Sequence, residues 1–177
     1  MTVSDGRCRV TLHVVSFPQN SVIRWWFGIE NTSDRNLELM LNPAKINLSP
    51  ERAKNIYHAY WYAGGRPRHD FGREYSCGLG ASMTPVKLKS DMTYHYVPLF
   101  MLLREDEPND GIMTELDYAG PWELSIERRG GELCCDFTID HGTPSIIGPA
   151  ETLDTPFVTA ALFSGDRDSV MTEIYDW

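Results

Sequence analysis

Short runs in which apolar and polar residues alternate are what most constrain this chain. From Cys8 to Val14, Cys8, Val10, Leu12 and Val14 share one face, and Arg9, Thr11 and His13 share the other. From Val22 to Glu30, Ile23, Trp25, Phe27 and Ile29 point inward, alternating with Arg24, Trp26, Gly28 and Glu30. Successive strand side chains point to opposite faces, so a period of two describes half-buried strands. Leu37, Leu39 and Leu41 repeat the pattern, as do Trp122, Leu124 and Ile126, and then Leu133, Cys135, Phe137 and Ile139. Turn-forming groups separate the runs: Phe17-Pro18-Gln19-Asn20, the polar stretch Asn31 to Asn36, and Gly130-Gly131, a hairpin signal. No long segment has the 3.6-residue period that crossover helices of a parallel sheet require. The pattern predicts an all-β protein, an antiparallel β-sandwich with at most one or two short helical turns.

At 177 residues the chain is long enough for one domain with a good core. Ser49-Pro50-Glu51-Arg52 reads as a helical cap and first turn; after it Ala53, Ile56, Tyr57 and Tyr60 fit a helical face, while Ile56, Tyr60 and Tyr62 fit a strand, the favoured reading. Residues 64–83, with Gly64-Gly65, Arg66-Pro67 and Gly78-Leu79-Gly80, read as a long loop. Residues 1–141 are expected to form the sandwich. Residues 142–177 are expected to form a C-terminal extension packing on the same domain or on a partner.

Two fragments resemble the bacterial immunoglobulin-like sandwich. Trp25 to Leu41 is similar to the B–C hairpin of intracellular proteinase-inhibitor-like domains. Tyr118-Ala119-Gly120-Pro121-Trp122-Glu123-Leu124-Ser125-Ile126 is similar to the aromatic, small, Gly-Pro, aromatic approach to a late strand. The resemblance implies a non-catalytic binding or scaffold domain and transfers no active-site residue.

Charge is the most informative functional feature. The formal net charge is −9, and it is unevenly spread. Residues 1–100 hold 12 basic and 8 acidic side chains, residues 101–177 hold 4 basic and 17 acidic. Binding nucleic acid needs clustered Lys and Arg, which this balance opposes. A negative surface suits a basic protein partner, with Glu105, Asp106, Glu107 and Asp110 as candidate contacts. Asp106, Asp110, Gly111 and Asp117 also fall at positions one, five, six and twelve of a calcium loop. Pro108 occupies position three and no helices flank the segment, so a solvated acidic loop is the expectation. No two of His13, His58, His69, His95 and His141 stand four residues apart, and no Cys-x-x-Cys occurs. Neither metal nor cofactor is expected, and no spacing singles out a catalytic triad.

The start of the chain lacks the apolar core of a signal peptide, and its longest apolar run, Val97 to Leu103, is too short to span a bilayer. A cytoplasmic protein with no membrane association is expected. Its cysteines, Cys8, Cys77, Cys134 and Cys135, are expected to be reduced, with one of the adjacent pair buried and the other outward.

Neighbouring tryptophans cannot share a face. If Trp25 is core, Trp26 faces away and needs cover from another element or a partner. Trp61, among Tyr57, Tyr60 and Tyr62, poses the same question, so Trp26 and Trp61 join the candidate contacts. Three functions compete. The first is a non-catalytic inhibitor or immunity-type protein neutralising a basic toxin or enzyme. The second is a structural or assembly protein that forms a homo-oligomer by adding the strand Phe157 to Phe163 to a neighbour. The third is a carbohydrate-binding or hydrolytic domain using the aromatic platform.

Overall fold

The Gly130-Gly131 turn shows how locally the fold is written. Both glycines adopt positive φ, +58° and +89°, as a tight two-residue hairpin turn requires. They join β11 (Trp122–Arg129) to β12 (Glu132–Thr138) in a register that places Arg129 opposite Glu132. Trp122, Leu124 and Ile126, and opposite them Leu133, Cys135 and Phe137, are at most 1% exposed, as the alternation predicts. β5 (Ala44–Leu48) and β8 (Val86–Ser90) flank the hairpin, giving a four-stranded antiparallel sheet ordered β5-β12-β11-β8.

The second layer is larger. The computed structural model describes residues 2–41, 44–48, 57–64, 73–79, 85–90, 96–105, 110–139 and 144–165. Its nine-stranded sheet contains β1 (Thr2–Ser4), β2 (Cys8–Phe17), β3 (Val22–Asn31), β6 (Tyr57–Ala63), β7 (Glu74–Leu79), β9 (Tyr96–Arg104), β10 (Asp110–Asp117), β14 (Thr152–Asp154) and β15 (Phe157–Ser164). The order is β1-β2-β3-β15-β10-β9-β6-β7, with β14 also on β3. A short pair, β4 (Leu37–Leu39) with β13 (Ser145–Ile147), completes an all-β sandwich. Among the described residues the one helical element is a 3₁₀ turn at Pro18–Asn20.

The main core lies between the two large sheets. Phe100, Leu102, Leu116, Val158 and Ala59 meet Trp122, Phe137, Leu124 and Leu133 there, and Trp25 and Trp61 pack against them. A second cluster, Leu99, Met101, Met113, Val22 and Ala161, occupies the other face of the nine-stranded sheet. β9 serves both clusters, and six consecutive residues, Pro98 to Leu103, are buried. That accounts for the uninterrupted apolar run, since a strand covered on both faces has no reason to alternate.

Several expectations need correction. Trp25 to Leu41 is not a hairpin, because β4 pairs with β13 while β3 pairs with β2, β14 and β15. Asn31, 0% exposed, redirects the chain there. Its side-chain amide donates to the Arg35 and Ile147 carbonyls at 2.6 and 2.9 Å, tying the polar turn to a distant segment. The 64–83 loop contains a strand, β7. The strand expected after the helical turn is β6, and the helical turn itself lies outside the described residues. Cys134 and Cys135 are both buried, at 3% and 1%. Burial raises the Cys135 thiol well above its ordinary pKa, so it stays protonated. Val14 and Ile23, placed inward by alternation, are 57% and 45% exposed, because the core stops at Trp25.

Candidate functional site

Since Trp25 packs on the main core, its neighbours Arg24 and Trp26 project from the opposite, outer face of the nine-stranded sheet. Trp26 finds rings on both sides. His13, its partner across β2, stacks on it with centroids 4.8 Å apart and planes 10° from parallel. Phe157, the first residue of β15, meets it nearly perpendicular at 5.1 Å. The Arg24 guanidinium lies 5.7 Å from the Phe157 ring centre. Three rings thus form a row across β2, β3 and β15, and Phe157 at its end remains 37% exposed.

Backbone geometry sets the flanks of this row. β14 and β15 both pair with β3, one after the other. Thr155 links them: its N–H donates to the Phe27 carbonyl at 2.9 Å, and its hydroxyl accepts from the Phe27 N–H at 3.0 Å. Asp154 therefore stands opposite Gly28. A Cβ on Gly28 would lie 3.1 Å from both Asp154 Oδ1 and His13 Nε2, so the bare glycine lets carboxylate and imidazole close over the strand. On the other side, Asp117 of β10 is paired with Phe157. A cleft of about 520 Å³ begins beside Asp117, Asp154 and Phe157 and continues past Leu41, Leu153 and the core residue Ile139, away from the Trp26 row. That size suits a small-molecule site.

Trp61 is arranged differently. It faces the main core, stacks on Tyr75 at 6.1 Å, and Tyr75 meets Tyr96 nearly perpendicular at 6.1 Å. Arg73 lies 5.3 Å from the Tyr75 ring centre. Trp61 is a packing residue, and Trp26 is the one that stands on the far face.

Of the acidic candidates, the described residues are Glu105 and Asp110. Glu105 is exposed, with Oε1 3.9 Å from His58 Nε2. Asp110 stands 3.9 Å from Arg104, and both line a second cleft of about 460 Å³ with Ser21, Tyr57 and Ser164. Asp106 and Glu107 lie outside the described residues. Asp110 to Asp117 is strand β10, which removes the calcium-loop spacing. The charge asymmetry is also mixed by topology. β10 and β15, from the acidic half, lie between β3 and β9 from the basic half. Among the described residues no group of three or more His, Cys, Asp or Glu side chains is placed to hold a metal ion, and no helix is long and apolar enough to cross a membrane. Phe157, Asp154 and Gly28 were missed as site residues because their meaning depends on which strands pair. The adjacent Trp25-Trp26 pair was the one local sign.

By sequence, no protein family and no curated protein matches the chain. By structure, it is similar to parts of several α-galactosidases. The α-galactosidase of Lactobacillus brevis superposes with a TM-score of 0.79 at 18% identity, over 96% of this chain and 23% of that one. The galactosidase domain of the α-galactosidase–sucrose kinase AgaSK gives 0.75 at 14% identity, over 90% of this chain and 22% of that one. The GH36 α-galactosidase AgaA of Geobacillus stearothermophilus, in complex with raffinose, gives 0.74 at 16% identity, over 94% and 23%. The chain therefore spans less than a quarter of the length of these proteins. The likeness establishes the β-sandwich.

These neighbours overturn the inhibitor or immunity-type expectation and the proteinase-inhibitor-like identity behind it, for nearly the whole chain follows a glycosidase-borne sandwich. The strand-addition expectation also fails, because β15 already has partners on both edges, β3 and β10.

Proposed function

We propose that this chain is a glycosidase-associated β-sandwich domain: a carbohydrate-related module that leaves bond cleavage to a separate catalytic domain. The observation that carries the reading is the superposition of 96% of the chain on 23% of an α-galactosidase at a TM-score of 0.79. The outer-face row supports it, since an exposed ring, Phe157, beside carboxylates suits sugars, whose C–H faces are apolar and whose rims carry hydroxyls. Glycoside cleavage needs two carboxyl groups set across one scissile bond. Here Asp117 and Asp154 flank a ring that gives a sugar a place to rest.

The test is affinity electrophoresis of the chain through galactomannan, paired with an assay for galactose release from a chromogenic α-galactoside. The expected outcome is retarded migration without turnover. Turnover proportional to protein concentration overturns the non-catalytic assignment. Unretarded migration counts against the carbohydrate role.

A further inference from the structure

We propose that the outer-face shelf formed by His13, Trp26 and Phe157, with Asp154, Asp117 and Arg24 around it, binds a neutral hexopyranose unit of an oligosaccharide. This inference rests on the carbohydrate reading above and adds the site and the ligand class.

Three features point to it. The first is a prepared apolar contact. Phe157 is oriented by Trp26 on one side and the Arg24 guanidinium on another, yet 37% of it is open to solvent. An exposed aromatic already fixed in place loses little side-chain freedom when a ring settles on it. The second is the polar rim. Asp154 and Asp117 supply acceptors on the two flanks of Phe157, and His13 adds a nitrogen at the Gly28 notch. Hydroxyls donate well to carboxylates, and such bonds are stronger than those between neutral groups. The third is charge. Asp117 and Asp154 outnumber Arg24, whose Nε already donates to Thr159 Oγ1 at 3.2 Å. Arg9 and Glu30, near by on β2 and β3, pair with each other at 2.6 Å. A uronic acid would bring a like charge to this rim, and a neutral sugar would not.

In the second cleft the Asp110 carboxylate is already turned to the Arg104 guanidinium, 3.9 Å away. The shelf is also held firmly: Thr155 bonds both polar groups of Phe27, so the spacing from Asp154 to Phe157 is set by backbone.

The experiment is calorimetric titration of the full chain with raffinose and with galacturonate, using Phe157→Ala, Asp154→Asn and, as a control in the other cleft, Asp110→Asn. Both shelf substitutions are at exposed positions, and circular dichroism checks that each variant folds. The expected result is raffinose binding by the wild type, at least tenfold weaker for Phe157→Ala and Asp154→Asn and unchanged for Asp110→Asn. Galacturonate should bind at least tenfold more weakly than raffinose, and Asp154→Asn should narrow that gap. Raffinose binding that survives both shelf substitutions overturns the shelf while leaving the carbohydrate role standing. Loss in Asp110→Asn alone moves the site to the other cleft and also overturns it. A folded wild type that ignores raffinose overturns the inference and the carbohydrate role together.

Discussion

Two rows of rings cross the nine-stranded sheet on opposite faces and near opposite ends, and each has an arginine over one of its rings. In one, Trp61 stacks on Tyr75, Tyr75 meets Tyr96, and Arg73 sits 5.3 Å from the Tyr75 ring centre. In the other, His13 stacks on Trp26, Trp26 meets Phe157, and Arg24 sits 5.7 Å from the Phe157 ring centre. The chemistry is nearly the same and the surroundings are not. The Trp61 row leans on the main core, where the four-stranded sheet supplies Trp122, Phe137 and Leu124. The Trp26 row stands on the outer face with carboxylates at its sides. Aromatic content therefore does not separate packing from recognition. Among the described residues, what separates the two rows is that the four-stranded sheet lies over the Trp61 row.

The comparison breaks most visibly at the tryptophans. Trp61→Ala is expected to cost about 3 kcal/mol, near the lower end for aromatic truncation in a core, and to lower the thermal midpoint without touching sugar binding. Trp26→Ala should cost about 1–2 kcal/mol, since it loses cross-strand ring contacts and leaves the main core intact, yet it should abolish raffinose binding. Equal destabilisation by the two would mean that the rows are equivalent packing elements. A double-mutant cycle between His13 and Trp26 sharpens the point, with an expected coupling of about 0.5–1.5 kcal/mol from urea midpoints. Gly28→Ala should come next. Its new Cβ must displace Asp154 and His13 side chains rather than backbone, so stability should shift by less than about 1 kcal/mol while sugar binding weakens several-fold.

The smallest effect concerns acid. Backbone N–H groups of Cys8 and Arg7 donate to Asp5, the Cys8 bond being the larger influence, and hold its carboxyl below the usual aspartate range. A lowered folded pKa means stabilisation that is present above the unfolded pKa and lost as pH falls through the folded one. Acidification below about pH 4 should therefore loosen the β1–β2 turn. Faster amide exchange at Arg7 and Cys8, absent in Asp5→Asn because that variant is already loosened, is the measurement. Unchanged exchange on acidification would remove Asp5 as the clasp of this turn.

How much of this was legible in advance follows from what a local pattern can encode. Trp122, Leu124 and Ile126, the Gly130-Gly131 turn and Leu133, Cys135 and Phe137 were all readable, because that hairpin is closed by its own neighbours in sequence. The partner of β3 was not. Period two says that Ile23 to Ile29 is a strand, and it does not say that β15, more than a hundred residues later, lies beside it. The shelf inherits that difficulty. Trp26 stands out by being next to Trp25, while Phe157 and Asp154 gain significance from the register that sets them against Trp26 and Gly28. Strand β7 was hidden among glycines and charges because an edge strand needs few apolar residues to pair.

The central place of β15 has a bearing on how the molecule is made. β3 and β10 must wait for it, each holding out a row of unsatisfied amides and carbonyls through most of synthesis. A nascent chain halted near residue 150 would already hold the Gly130-Gly131 hairpin but would show two naked sheet edges and half a shelf. Chaperone occupancy at that stage, and aggregation of fragments truncated there, are the practical costs of inserting a late strand into the middle of a sheet.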